Sequence, residues 1–455
     1  MLQSVLRALQ LPDLRKRIVF TMLMLLIFRL IAHIPVPNID PTALASLRQA
    51  LEQNQLAQLL NIFAGGALQN LSVAAMGVYP YITAQIIVQL LTPLIPALEE
   101  MTKEGEQGRM RINRITFWAT VPMAYLQAYG QTLTIVRGVT AGQNVFRTPF
   151  DIFGNFFPTF TVITAMVAGT MLLVWLGEQI QERGIGNGIS VIIFAGIVSR
   201  LPSLISQAFT TGSVGDVNII LGLIGFLIIG LFTIIGIVLV QEGQRRIPVQ
   251  YAKRVRGNRV YGGQSSHIPL KVNMSGMIPL IFAQSIIIFP GTLASYGCPE
   301  QVTPEGAGVL KQIACFTYQT FSPAIRGSAN ATGTLIYSTL LFLLVVGFTY
   351  FYTMVIFNQQ NIPDSLQRNG GFIPGIRPGK RTEEYLTKVV YRITLVGAFF
   401  LGLVAILPFL TQWITGVQIG LSATALLIVV GVAVDTMRQL EAQLVMRNYE
   451  GFINR

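Results

Sequence analysis

Lys and Arg outnumber acids seven to one between Gln241 and Lys271, in QEGQRRIPVQYAKRVRGNRVYGGQSSHIPLK. Cationic side chains at that density bind phosphates or carboxylates, so the stretch reads as a docking surface for an acidic partner. Other reactive residue types are sparse. The two histidines, His33 and His267, form no pair at metal-ligand spacing, and there is no CxxC and no GxSxG. The expectation is a protein without metal, cofactor or catalytic centre. Cys298 and Cys315 fall in one connection, where they can form a disulfide or stay as two thiols. GIGNG at 184–188 follows no strand, so it reads as a tight turn and not a nucleotide fingerprint. The acids sit in connections or at helix ends, the deepest being Asp435. An ion-coupled pump would bury carboxylates in mid-membrane.

The elements carrying these residues are apolar. Of 455 residues, 52% are hydrophobic and 11% charged, against about 25% charged in a soluble domain. Ten stretches approach the roughly 20 apolar residues that cross a bilayer: 18–34, 73–95, 115–136, 153–176, 187–205, 217–240, 272–292, 333–357, 388–410 and 418–437. No alternating barrel pattern is present, so the fold expected is an all-α polytopic membrane protein. Lys and Arg number 24 in the termini and even-numbered connections but 6 in the odd-numbered ones, with Arg29 and Arg392 in spans. That asymmetry predicts both termini and the 241–271 loop in the cytoplasm. Residues 1–17 read as a short amphipathic cytoplasmic stretch with no cleavage site, ending in Arg15, Lys16 and Arg17. Five spans in each half, 18–205 and 206–437, would face opposite ways, which is the arithmetic of an inverted repeat; 438–455 is left as a cytoplasmic tail.

Three local features stand out. NIFAGGALQNLS at 61–72 is too short to span and too apolar to lie free in water. It reads as a half-helix dipping into the membrane, or as an ordinary outer loop. Gly65 and Gly66 would allow a sharp reversal or close packing. Arg29 lies in the outer part of the first span, either snorkelling to headgroups or facing an aqueous interior. In the second span Gln85 and Gln89 share one face, while Val78 and Ile82 share another; Ile189 and Ile193 repeat that spacing in the fifth.

Longer strings carry a resemblance. GGALQNLSVAAMGVYPYITAQIIVQLL, WLGEQIQERGIGNGISVIIFAGIV, QEGQRRIPVQYAKR, VYGGQSSHIPLKVNMSGMIPLIFAQSI and GGFIPGIRPGKRTEEYL are similar to the SecY family of protein-conducting translocon subunits. The resemblance runs from the first span to the tenth. It implies a bacterial plasma-membrane channel that passes unfolded polypeptides across, or releases transmembrane segments sideways. It implies an apolar pore ring of Val78, Ile82, Ile189, Ile193, Ile281 and Ile428, with Val78 where a larger Ile is usual. Such a ring denies ions solvation while sealing around any chain. A plug is implied at Asn61, Ile62, Phe63, Ala64, Gly65, Gly66, Ala67, Leu68, Gln69 and Asn70. Spans two and seven would form a lateral gate, with Gln85 and Gln284 as its polar groups. Basic loops 241–271 and 358–388 would receive the ribosome, through ribosomal RNA, or the SecA motor. Lys253, Arg254, Arg256, Arg259 and Arg377 are the docking residues, Arg256 standing in where Asn258 replaces an expected arginine. SecE and SecG subunits, signal sequences, nascent chains and membrane lipids are the other implied partners. The alternative class is a secondary transporter with inverted repeats, which would need a polar midplane site where this sequence has an apolar one.

Overall fold

The computed structural model describes residues 11–40, 44, 47–48, 61, 64–136, 145–150, 154–211, 217–251, 254–256, 259–261, 265–297, 309–321, 331–415 and 423–453. Each of the ten apolar stretches has its helix: α1 (Pro12–Ile31), α2 (Tyr79–Leu91), α4 (Glu106–Thr134), α5 (Phe156–Arg183), α6 (Gly188–Thr211), α7 (Val217–Glu242), α8 (Ile278–Gly297), α10 (Ala331–Gln360), α12 (Lys380–Thr415) and α13 (Ala423–Ile453). Three shorter helices lie between them: α3 (Pro96–Lys103), α9 (Val309–Phe321) and α11 (Ile362–Arg368). Of the described helices, α5, 333–368 and 380–411 alone are each long and apolar enough to cross a bilayer. The second span is more compact than expected, because α2 has 13 residues and bends by 101° into α3. Pro96 sits in the first turn of α3, where its missing N–H costs nothing and its fixed φ starts a new helix.

The chain forms two compact units. The first comprises Met1–Asp216, Ile288–Gly333 and Gln418–Arg455. Its helices bury large side chains such as Leu173, Leu176 and Ile180, and at several glycines they also meet through backbone. A methyl on Gly169 of α5 would strike the Val73 carbonyl, and one on Gly188 of α6 would strike the Gly177 carbonyl of α5. With lipid as apolar as Leu, helices in a bilayer associate by van der Waals contact, and small residues let them approach. The 184–188 turn is the tight turn expected. Gly186 adopts φ 92°, where a side chain is strained. The Gly186 N–H donates to Gln439 Oε1 of α13 at 3.0 Å, and the Ile185 N–H donates to Thr21 Oγ1 of α1 at 3.1 Å. Leu14, Ile185 and Leu440 close the same junction with a small apolar cluster.

The second unit comprises Val217–Ile287 and Thr334–Val417. Here the all-α expectation needs refining, because the basic loops carry strands. β1 (Gln244–Tyr251) pairs antiparallel with β4 (Ser265–Lys271), from Gln244 opposite Lys271 to Gln250 opposite Ser265. β5 (Gly371–Phe372) adds to the other edge of β1, so the sheet order is β4–β1–β5. Beyond it β2 (Arg254–Arg256) and β3 (Arg259–Tyr261) form a separate hairpin. Ile247 and Val249 alternate inward from β1, joined by Leu270 of β4. They pack on Phe357, Leu366, Ile373, Leu386, Val389 and Val390 from α10, α11, the β5 loop and α12. Pro248 lies beyond the short reach of β5, where β1 has an open edge and no donor is required. Elsewhere in this unit α7 packs on α12, and Phe282 of α8 stacks on Phe348 of α10 at 5.5 Å.

Gly188→Val is therefore expected to cost the first unit more than the usual ~1–3 kcal/mol of overpacking, because the obstacle is a backbone carbonyl with no rotamer to yield. Thermal unfolding of the detergent-purified chain checks this; Gly230→Val, which meets open space, should leave the midpoint within a few degrees.

Candidate functional site

In the described part of 61–70, Asn61 is helical, residues 64–66 form a turn, and Ala67–Asn70 form a 3-10 turn; Ile62 and Phe63 lie outside the described residues. The turn depends on its two glycines. Gly65 and Gly66 adopt φ 65° and 84°, and the Gly66 N–H closes back on the Asn61 carbonyl at 2.8 Å. Such a left-handed pair with a backward bond ends a helix in the manner of a Schellman cap. Leu71 follows with φ 38°, uncommon for a side chain with a Cβ.

The turn is pressed against α6 and α1. A methyl on Gly196 of α6 would collide with the Gly65 Cα, and one on Gly65 would come within 2.7 Å of the Phe28 ring tip. Ala64, Ala67 and Leu68 are buried. The far end is tied by backbone to the residues following α1: the Val36 N–H donates to the Leu71 carbonyl and the Val73 N–H to the Ile34 carbonyl, both at 2.9 Å. Arg29 Nη1 donates to the Gly65 carbonyl at 3.4 Å. Arg48 donates to Asn70 Oδ1 at 2.8 Å and to the Gln69 carbonyl at 3.4 Å. Gly196, Phe28 and Arg48 were invisible as site residues, since nothing local to their spacing points to the segment they touch. Gly196 was the most detectable, as a lone glycine in an apolar helix three residues from Ile193.

Val78 precedes α2 and is buried; its carbonyl accepts the Ile82 N–H at 3.1 Å, so the pair stands one turn apart. Ile82 and Ile193 are buried, and Ile189 is half-buried with its Cγ1 beside Gly177. Ile428 is buried on α13, which packs on α6. Ile281, in the other unit, is buried on α8. Gln85 is half-buried. Gln284 is buried, and its Oε1 has no hydrogen-bond partner among the described residues. Gln127 of α4 donates to Thr83 Oγ1 of α2 at 2.9 Å, a partly buried polar contact between spans that the sequence reading missed.

Of the docking residues, Arg377 is exposed at the mouth of an open cleft of about 960 Å³. Lys380, Arg381, Lys388, Glu383 and Tyr391 also line it. Arg254 and Arg256 lie on β2 and Arg259 on β3, with Arg256 directly opposite Arg259. Lys253 and Asn258 lie outside the described residues. Cys315, on α9, is in a disulfide; the other cysteine of the chain, Cys298, lies outside the described residues. No group of His, Cys, Asp and Glu able to hold a metal is found among the described residues.

These features define a multi-pass helical membrane protein of the channel class, with a short non-spanning segment seated among its helices. The sequence matches the SecY family over residues 72–437. The SecY translocase subunit of Thermotoga maritima is 42% identical, the alignment covering all of this chain and 98% of that one. The chain belongs to the SecY family: it is a protein-conducting channel subunit and not an enzyme. Among solved structures, one concerns the SecY plug domain, described as stabilising the closed state of the translocation channel and maintaining a membrane seal. It superposes with a TM-score of 0.61 at 18% identity, covering 95% of this chain and 92% of that one. Sec61 in the canine ribosome-channel complex superposes at 0.59 and 18% identity, covering 95% and 93%.

Gly196→Ala should loosen the seat of the 64–68 turn. Resting ion flux through the full-length chain in proteoliposomes is expected to rise roughly fivefold or more, because an overpacking penalty of about 1–3 kcal/mol shifts a two-state contact that far.

Proposed function

We propose that the chain passes unfolded secretory polypeptides through an apolar ring of Val78, Ile82, Ile189, Ile193, Ile281 and Ile428, with residues 61–70 as the plug that closes it at rest. The observation carrying this reading is the seat of the Gly65–Gly66 turn on Gly196, one helical turn along α6 from Ile193. A stopper seated by close backbone contact beside an apolar constriction, with Leu68 as the one large apolar side chain buried among its described residues, has little bulk to withdraw when it is expelled. The family membership and the plug named for the SecY structure support the same reading.

The finer parts follow the same logic. Five-span halves 18–205 and 206–437 face opposite ways, with both termini and the basic loops in the cytoplasm of a bacterial cell. Spans two and seven part as a lateral gate for signal sequences and nascent transmembrane segments, which partition into lipid by their own transfer free energy. The half-buried Gln85 and the unpartnered Oε1 of Gln284 are the polar groups that would tune its opening. The basic loops receive the ribosome or the SecA motor, with Lys253, Arg254, Arg256, Arg259 and Arg377 as contacts; the canine neighbour was solved as a ribosome-channel complex. SecE and SecG complete the assembly, and the chain needs no cofactor.

Photo-crosslinkers at positions 82 and 281 should label a stalled secretory chain, whereas one at the exposed Leu231 should not. Labelling from Leu231 alone would remove the pore assignment. Reversing charge at Arg254, Arg256 and Arg259 should weaken ribosome binding and flatten its salt dependence. The log–log slope should fall by about 2–3, since each phosphate that is no longer neutralised removes about 0.7–0.9. Titrating ribosomes onto proteoliposomes across a salt series measures it, and an unchanged slope would reduce the loop to an orientation signal.

A further inference from the structure

Resting on the plug reading, we infer that Arg29 and Arg48 form a two-point latch that holds the plug closed by gripping its main chain. The two arginines reach the segment from opposite ends. Arg29, on α1, bonds the Gly65 carbonyl at the turn where the preceding helical residue is capped. Arg48 bonds the Gln69 carbonyl and Asn70 Oδ1 at the other end. A third arginine, Arg200 of α6, is buried there, and a methyl on Gly66 would touch its Cγ and Cδ at 3.4 Å. Its stem therefore walls the glycine pair.

The chemistry suits a part that must leave and return. A left-handed Gly–Gly turn turns its carbonyls away from any helical partner, and the C-terminal end of a helix attracts cations. Guanidinium supplies several donors in a fixed fork, so it stays charged and directional when the segment is seated. Bonds of 3.4 Å lie near the long limit for N–H···O. They release with a small displacement. Because two of the three bonds end on backbone carbonyls, the latch is largely indifferent to plug side chains. Asn70 is the exception, since its Oδ1 accepts the shortest bond, at 2.8 Å.

The test is potassium efflux from proteoliposomes holding the full-length resting chain. Arg29→Met and Arg48→Met should each raise efflux by about three- to tenfold, the scale of losing one hydrogen bond of ordinary net strength. Arg29→Lys should fall between wild type and Arg29→Met. Asn70→Ala should reproduce part of the Arg48→Met rise, and Gln69→Ala should have no effect. In a chain lacking residues 61–70, neither arginine substitution should add to the leak. Unchanged efflux in folded Arg29→Met and Arg48→Met, or an equal rise in the plugless chain, would overturn the latch while leaving the plug intact. If removing 61–70 itself leaves efflux at the wild-type level, the plug reading falls and the latch with it. Arg29→Gln, which keeps donors but not charge, replaces Arg29→Met if that variant does not accumulate.

Discussion

The first unit depends on contacts in which a backbone stands where a side chain would normally be. Along α5, Gly169 receives the Val73 carbonyl, and Gly177 receives the start of α6. Along α6, Gly188 and Gly196 receive α5 and the Gly65 turn. In water such sites would be weak points, since glycine costs helix stability. In a bilayer the balance differs, because apolar side chains gain little by leaving lipid for one another, and close approach of main chains supplies the attraction. The glycines set the distance between α5 and α6. That distance fixes where Ile189 and Ile193 stand and leaves a shelf at Gly196 for the Gly65 turn.

The second unit is organised by a different constraint. Its strands lie outside the apolar stretches and are held by a conventional core of alternating Ile247 and Val249 against helix ends. A unit that must keep its basic residues wet cannot rely on lipid for cohesion, so it buries one side of a sheet instead. Two packing regimes therefore coexist in one chain, one that adds close glycine contacts to its buried side chains and one that rests on a half-buried sheet.

The positions of the ten membrane helices were legible because span-length apolar runs are a local signal. The conflict between shortness and apolarity in 61–72 marked that segment as unusual, but did not say what it packs against. The strands were hidden: in QRRIPVQY the period of two is carried by Ile247 and Val249 alone, and the arginines drew the reading toward charge. The roles of Arg29 and Arg48 were hidden for another reason. Their partners lie 36, 21 and 22 residues away, and no spacing rule spans such distances. The bend between α2 and α3 was hidden, because an unbroken apolar run over 73–95 says nothing about the direction the chain takes at its end.

The two residues of β5 have an effect out of proportion to their length. By pairing Tyr251 with Gly371 and Gln250 with Phe372, they join loops that are 120 residues apart in sequence into one hydrogen-bonded body. A ligand touching both loops meets them already in mutual register. It is spared the conformational entropy of bringing two tethered arms together, which ordinarily erodes bivalent affinity. The same joint makes the loops mechanically continuous, so that force applied to one is borne by the hydrogen-bond ladder and delivered to the base of α12.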